Sequence, residues 1–136
     1  MNNARSQPAW RLALIGAGLL ALPMAAVAAE PGASAPPEVR QAFGNTILST
    51  YPDGRTARLW LQPSGDYTAM GRRGDRSRGR WRTSGDKLCL RQSRPIPAPF
   101  SYCTAIPSGR SWTAKAVTGE RIVVRLVEGR GGPARG

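Results

Sequence analysis

Residues 87–106 read KLCLRQSRPIPAPFSYCTAI, and the spacing within this stretch sets the fold. Two alternating runs, Lys87 to Gln92 and Ser101 to Ile106, flank a loop stiffened by Pro95, Pro97 and Pro99, which is placed to pack over a barrel mouth. Position 96 lies midway between Cys89 and Cys103. A hairpin centred on Ile96 therefore sets the cysteines opposite one another, with Leu90 facing Tyr102 and Leu88 facing Thr104. Opposed residues at a non-hydrogen-bonded antiparallel pair lie about 4.5 Å apart at Cα, within reach of a disulfide. A reactive thiol is the alternative, but it needs a neighbouring base and the chain has no histidine. The same absence removes Ser-His-Asp and Cys-His catalysis and the commonest zinc ligand.

The chain on either side repeats this strand-and-turn pattern. Runs at Thr46–Tyr51, Thr56–Gln62, Tyr67–Gly71, Arg78–Thr83, Trp112–Val117 and Ile122–Val127 are separated by Asp53-Gly54, Ser64-Gly65-Asp66, Gly74-Asp75, Ser84-Gly85-Asp86, Ser108-Gly109 and Thr118-Gly119. Such turns need backbone conformations that Gly and Asx residues adopt at least cost. Alternation assigns one apolar face to each strand: Ala57, Leu59 and Leu61 against Thr56, Arg58, Trp60 and Gln62; Leu88 and Leu90 against Lys87, Cys89 and Arg91; Ile122, Val124 and Leu126 against Val123, Arg125 and Val127. The expected fold class is all-β: a single small antiparallel up-and-down β-barrel of about eight strands with one disulfide, over residues 44–128, closed to hide its edges. Trp81 and Trp112 are expected to plug its core.

Ser64-Gly65-Asp66-Tyr67, then Gly79-x-Trp81, then Gly85-Asp86-Lys87-Leu88-Cys89 with a second cysteine fourteen residues on, resembles small secreted lipocalin-like or avidin-like proteins of Gram-negative bacteria. The resemblance spans about residues 44–128 and implies a barrel and export. It carries over no active site.

The N-terminus points to the same compartment. Arg5 and Arg11, the apolar run Leu12 to Leu22, and the small residues Ala25 to Ala29 read as a signal peptide over 1–29, cut after Ala29 or Ala28. The apolar run is broken by Pro23 and is short for a membrane span, which needs about 20 residues. Residues 30–43 follow as a Pro/Ala/Gly/Ser linker with one helical turn, Glu38 to Phe43, placing Val39 and Phe43 on one face to close an end of the domain. Residues 129–136 read as a disordered tail. The processed chain of 107 residues holds one domain, with 18 basic and eight acidic residues, ten positive charges in excess. A periplasmic or secreted location makes nucleic acid an improbable partner for that charge. Lipopolysaccharide, lipid head groups and acidic polysaccharides remain.

Residues 71–80, GRRGDRSRGR, concentrate the charge. As the connection between the third and fourth strands they are expected to form a hairpin with solvent-facing arginines, and Arg73-Gly74-Asp75 needs no adhesion role. Arg72, Arg73, Arg76, Arg78 and Arg80 are alternatively a polyanion contact, holding phosphates or carboxylates bidentately. Trp60 beside Arg58 emerges on the polar face of its strand. It is covered by the segment around Phe43, or lines the interior if the faces are reversed, or joins Arg58 in stacking on a ligand. The four aspartates sit in turns and the four glutamates flank linkers or strands, so no catalytic pair, metal site or cofactor is suggested.

The function expected from these features is an exported, monomeric, non-enzymatic binding protein that contacts anionic envelope components through the Arg-rich hairpin. The alternatives are a secreted enzyme inhibitor and a structural envelope protein without ligand. An open interior favours small-ligand binding and a filled one favours either alternative. N-terminal sequencing of protein from the envelope fraction is expected to begin at Glu30 or Ala29. An intact Met1 there would overturn the compartment.

Overall fold

The computed structural model describes residues 16–23 and 29–130. The leader expected over 1–29 therefore lies mostly, and the tail beyond Arg130 wholly, outside the described residues. Among the described residues no helix is long and apolar enough to cross a membrane.

Eight strands form one antiparallel sheet: β1 (Thr46–Thr50), β2 (Thr56–Leu61), β3 (Asp66–Met70), β4 (Arg76–Ser84), β5 (Lys87–Arg94), β6 (Tyr102–Ala105), β7 (Ser111–Lys115) and β8 (Arg121–Val127). Consecutive strands pair as hairpins except at β6 and β7, and β1 pairs with β8, giving the order β6-β5-β4-β3-β2-β1-β8-β7. The sheet curls into a nearly closed barrel whose seam lies between β6 and β7. No ladder crosses that seam, but the Tyr102 hydroxyl donates to the Lys115 carbonyl across it. Edge groups that would otherwise face water unpaired are in this way partly satisfied.

The register foreseen for the β5–β6 hairpin is the one observed. Leu88 faces Thr104, Cys89 faces Cys103 and Leu90 faces Tyr102. The cysteines are disulfide-bonded with Cα atoms 4.0 Å apart. The faces also fall as alternation assigns them, with Leu61, Leu88, Ile122 and Val124 buried inside.

β4 begins at Arg76, two residues earlier than the sequence pattern suggests, because Ser77 and Gly79 continue the inward row that Trp81 starts. At Gly79 the β4–β5 register shifts in a bulge, and a Cβ there would strike the Arg91 carbonyl, so the close approach of these strands requires glycine. The turn at Gly74 has φ 84° and is closed by its N–H to the Gly71 carbonyl at 2.9 Å.

One end of the barrel is closed. The stretch expected as a Pro/Ala/Gly/Ser linker instead packs against this end. A 3-10 turn, Pro31–Ala33, precedes the short helix α1, Pro37–Arg40. The Gly32 N–H donates to the Pro63 carbonyl at 2.8 Å, and a Cβ on Gly32 would approach Pro63 to 2.7 Å. This contact docks the stretch and buries Ala35, Val39 and Ala42 in the core. Phe43 packs on Trp81 with ring centroids 5.7 Å apart. Residues 30–45 thus act as a plug, and the apolar area they remove from water stabilises a domain too small to fill its own interior from eight short strands.

The Cys89–Cys103 bond closes a loop of about 15 residues, for which chain entropy predicts about 3 kcal/mol of stabilisation. The double variant Cys89→Ala/Cys103→Ala is expected to lose about that much unfolding free energy in denaturant titrations while keeping its β-sheet circular dichroism. Unchanged stability would contradict the pairing.

Candidate functional site

On four strands the inward side chains shrink from the closed end towards the other, whereas Tyr51, Tyr102 and Ile122 stand at the mouth ends of β1, β6 and β8. Along β4 they run Trp81, Gly79, Ser77; along β2, Leu61, Leu59, Ala57; along β3 and its end, Tyr67, Ala69, Gly71; along β7, Trp112, then Ala114. Large side chains fill one half and small ones leave the other half empty. The result is a cavity of about 540 Å³. Its floor is made by Ile47, Tyr67, Leu88 and Ile106, and its walls include the small residues Ser49, Ala57, Ala69, Ser77, Ala114 and Ala116. Among its lining residues only Arg58 and Asp75 are charged.

The cavity opens where the turns β1–β2, β3–β4, β5–β6 and β7–β8 gather. Residues 96–100 of the Pro-rich loop line this mouth together with Tyr51, Gln92 and Val117. The Gln92 amide donates to the Ile96 carbonyl at 2.9 Å and the Ala98 N–H to the Gln92 carbonyl at 2.9 Å, which folds the loop back on the end of β5.

Arg72 braces three of the four turns and does not point into solvent as the sequence suggests. Its guanidinium donates to both oxygens of Glu120, at 2.9 and 3.3 Å, and lies 3.6 Å from the Asp53 carboxylate. It also covers the Tyr51 ring at 4.3 Å. The hydrogen bonds to Glu120 push the Arg72 pKa above its ordinary value. Burial pushes the Tyr51 phenol up, opposed by the Arg72 charge, and burial alone raises Tyr67. Both tyrosines are therefore neutral at physiological pH.

The remaining arginines of the 71–80 stretch separate. Arg73 is exposed on the turn, whereas Arg76, Arg78 and Arg80 belong to β4 and project from the outer wall, so no five-arginine cluster forms at a hairpin tip. Arg80 is paired with Asp66 at 3.0 Å. Arg76 and Arg78 join Trp60, Thr68, Met70 and Arg94 around a shallow outer depression, with Arg58 beside Met70 on the neighbouring strand.

Trp60 does face outwards, neither covered by Phe43 nor lining the interior. Phe43 sits on Trp81 at the closed end, and the faces are not reversed. The Trp60 indole N–H donates to the Thr46 hydroxyl at 2.9 Å, which in turn donates to the Gly129 carbonyl at 2.7 Å. That chain of bonds fixes the ring half-buried against β1 and the end of the domain.

Among the described residues no group of three Cys, Asp or Glu side chains converges as a metal site would require. Comparison with protein families, with curated proteins and with solved structures finds no match to this chain.

Replacing Arg72 with Gln is expected to speed amide hydrogen exchange several-fold at Gly74 and Gly119, the turns it joins, while leaving the closed end protected. Equal exchange in the variant would show that the brace contributes nothing to the mouth.

Proposed function

We propose that the protein is an exported, non-enzymatic carrier that binds a small, predominantly apolar molecule inside the barrel. The observation that supports this most is the cavity: about 540 Å³, walled by aliphatic, alanine and aromatic side chains, closed at one end and open at the other. Ligand sites occupy about 300–1,000 Å³ and are lined mainly by apolar groups with a few polar ones, here Tyr51, Gln92 and Thr104. The eight-stranded antiparallel near-barrel is consistent with the lipocalin-like character of the turn and core motifs. An interior half empty favours ligand binding over the inhibitor and structural alternatives.

The outer wall supports a second reading, contact with anionic envelope components. Arg76, Arg78 and Arg94 surround Trp60 there without carboxylate partners among the described residues. Arg72 and Arg80, which the sequence adds to such a contact, already hold Glu120 and Asp66.

The neutral fluorophore N-phenyl-1-naphthylamine is expected to bind with enhanced emission. Ala69→Leu and Ala114→Leu, which project into the cavity, should each weaken it by about tenfold or more without lowering the melting temperature. Wild-type protein that leaves the fluorophore dark, or variants that bind it as well as wild type, would sink the carrier reading.

A further inference from the structure

The rim of the mouth is apolar in a way the rest of the barrel surface is not. Ile96, Phe100 and Val117 are 73%, 64% and 67% exposed, although Phe and Ile are among the residues most often found inside. Beyond residues 16–23, Val123 is the one other large apolar side chain so exposed among the described residues. The three come from two separate loops, β5–β6 and β7–β8, yet all line the same cavity opening. Apolar groups gathered at one opening and left in water indicate a surface that becomes covered.

Charge surrounds this rim. Arg55, Arg73, Arg76, Arg94, Lys115 and Arg121 stand in the turns or at the strand ends that open on the mouth, and all are exposed. Among the described residues none of the six lies within ion-pairing distance of a carboxylate. The acidic residues at this end are Asp53, Asp75 and Glu120, and Arg72 engages two of them. The mouth therefore presents aliphatic and aromatic side chains inside a ring of unpaired cations.

We propose that the mouth docks onto an anionic phospholipid bilayer, with Ile96, Phe100 and Val117 entering the acyl boundary and the surrounding Arg and Lys side chains contacting phosphate head groups. The docking rests on the cavity being a binding site, since it opens an apolar interior directly to the acyl region. Reversible membrane association needs two signals together, apolar insertion and attraction to anionic lipid, and both are present on this one face. A second copy of the chain fits poorly, because mouth-to-mouth pairing would oppose two cationic rings. A hydrated acidic glycan would satisfy the cations but leave Ile96 and Val117 in water.

The test is co-sedimentation of the purified exported form, its N-terminus fixed by intact mass, with vesicles. Two compositions are compared, phosphatidylglycerol mixed with phosphatidylcholine and phosphatidylcholine alone. Wild type should bind the anionic vesicles, at least about tenfold more weakly when phosphatidylglycerol is omitted, and lose affinity as salt rises. Ile96→Ser/Phe100→Ser/Val117→Ser should abolish binding, and Arg55→Gln/Arg73→Gln/Arg94→Gln should remove the preference for phosphatidylglycerol. Both variants alter exposed side chains, so unchanged melting temperatures check that they fold. Arg82→Gln, exposed on the outer wall towards the closed end, should bind like wild type. The proposal is overturned if wild type ignores anionic vesicles, or if the serine variant binds them as wild type does. It is equally overturned if only soluble acidic polysaccharide is bound, or if the rim instead mediates a dimer that the serine variant dissolves. Vesicle binding without uptake of the naphthylamine fluorophore would support docking while removing the carrier reading. Uptake without vesicle binding would do the reverse.

Discussion

The fixed position of Trp81 at one end of the barrel is the constraint from which the rest of the structure follows. Its indole N–H donates to the Gln62 carbonyl at 2.7 Å and its backbone N–H to the Gly65 carbonyl at 2.8 Å. Its ring meets Phe43, and the side chain is only 4% exposed. A residue of this size, tied by two hydrogen bonds, can occupy one place along the barrel axis. Burying it contributes on the order of 4–6 kcal/mol by area alone. The inward residues that follow it towards the mouth, Gly79 and Ser77, cannot fill the space that remains. The empty space beside the closed end follows from the taper of side-chain size along β2, β3, β4 and β7.

The open half depends on contacts that are not sheet ladders. The β6–β7 seam is joined through Tyr102 and Lys115, and the disulfide ties the exposed edge strand β6 to β5. Around the mouth Arg72 joins the β1–β2, β3–β4 and β7–β8 turns through Asp53 and Glu120. These groups are partly exposed, where ion pairs are individually weak. Several converging on one guanidinium define the shape of the opening more than they add to global stability.

The fold was legible because its determinants are local. Turn glycines, alternation and the symmetric cysteine spacing each act over a few residues, and together they placed Cys89 opposite Cys103. What sequence alone missed depends on distant partners. Arg72 finds Glu120 48 positions away, so no local pattern distinguishes it from Arg73. Residues 30–37 are small and flexible by composition, and what holds them lies far along the chain, as in the Gly32 bond to Pro63 across the closed end. The cavity left a trace that was open to reading: Leu61-Leu59-Ala57 and Tyr67-Ala69-Gly71 both taper towards the same end. Alternation registers only apolar against polar, and Ala counts as apolar whether or not it fills its place.

The proposed binding site is the mouth-side half of the interior. Alanine methyl groups report it directly, because Ala57, Ala69, Ala114 and Ala116 line the cavity while Ala35 and Ala42 are packed at the closed end. The decisive measurement is a methyl NMR titration of alanine-labelled protein with a neutral apolar ligand. The account predicts saturable shifts at the four cavity methyls with Ala35 and Ala42 unmoved. Shifts confined to the closed end, or no saturable shift at any cavity methyl, would contradict it.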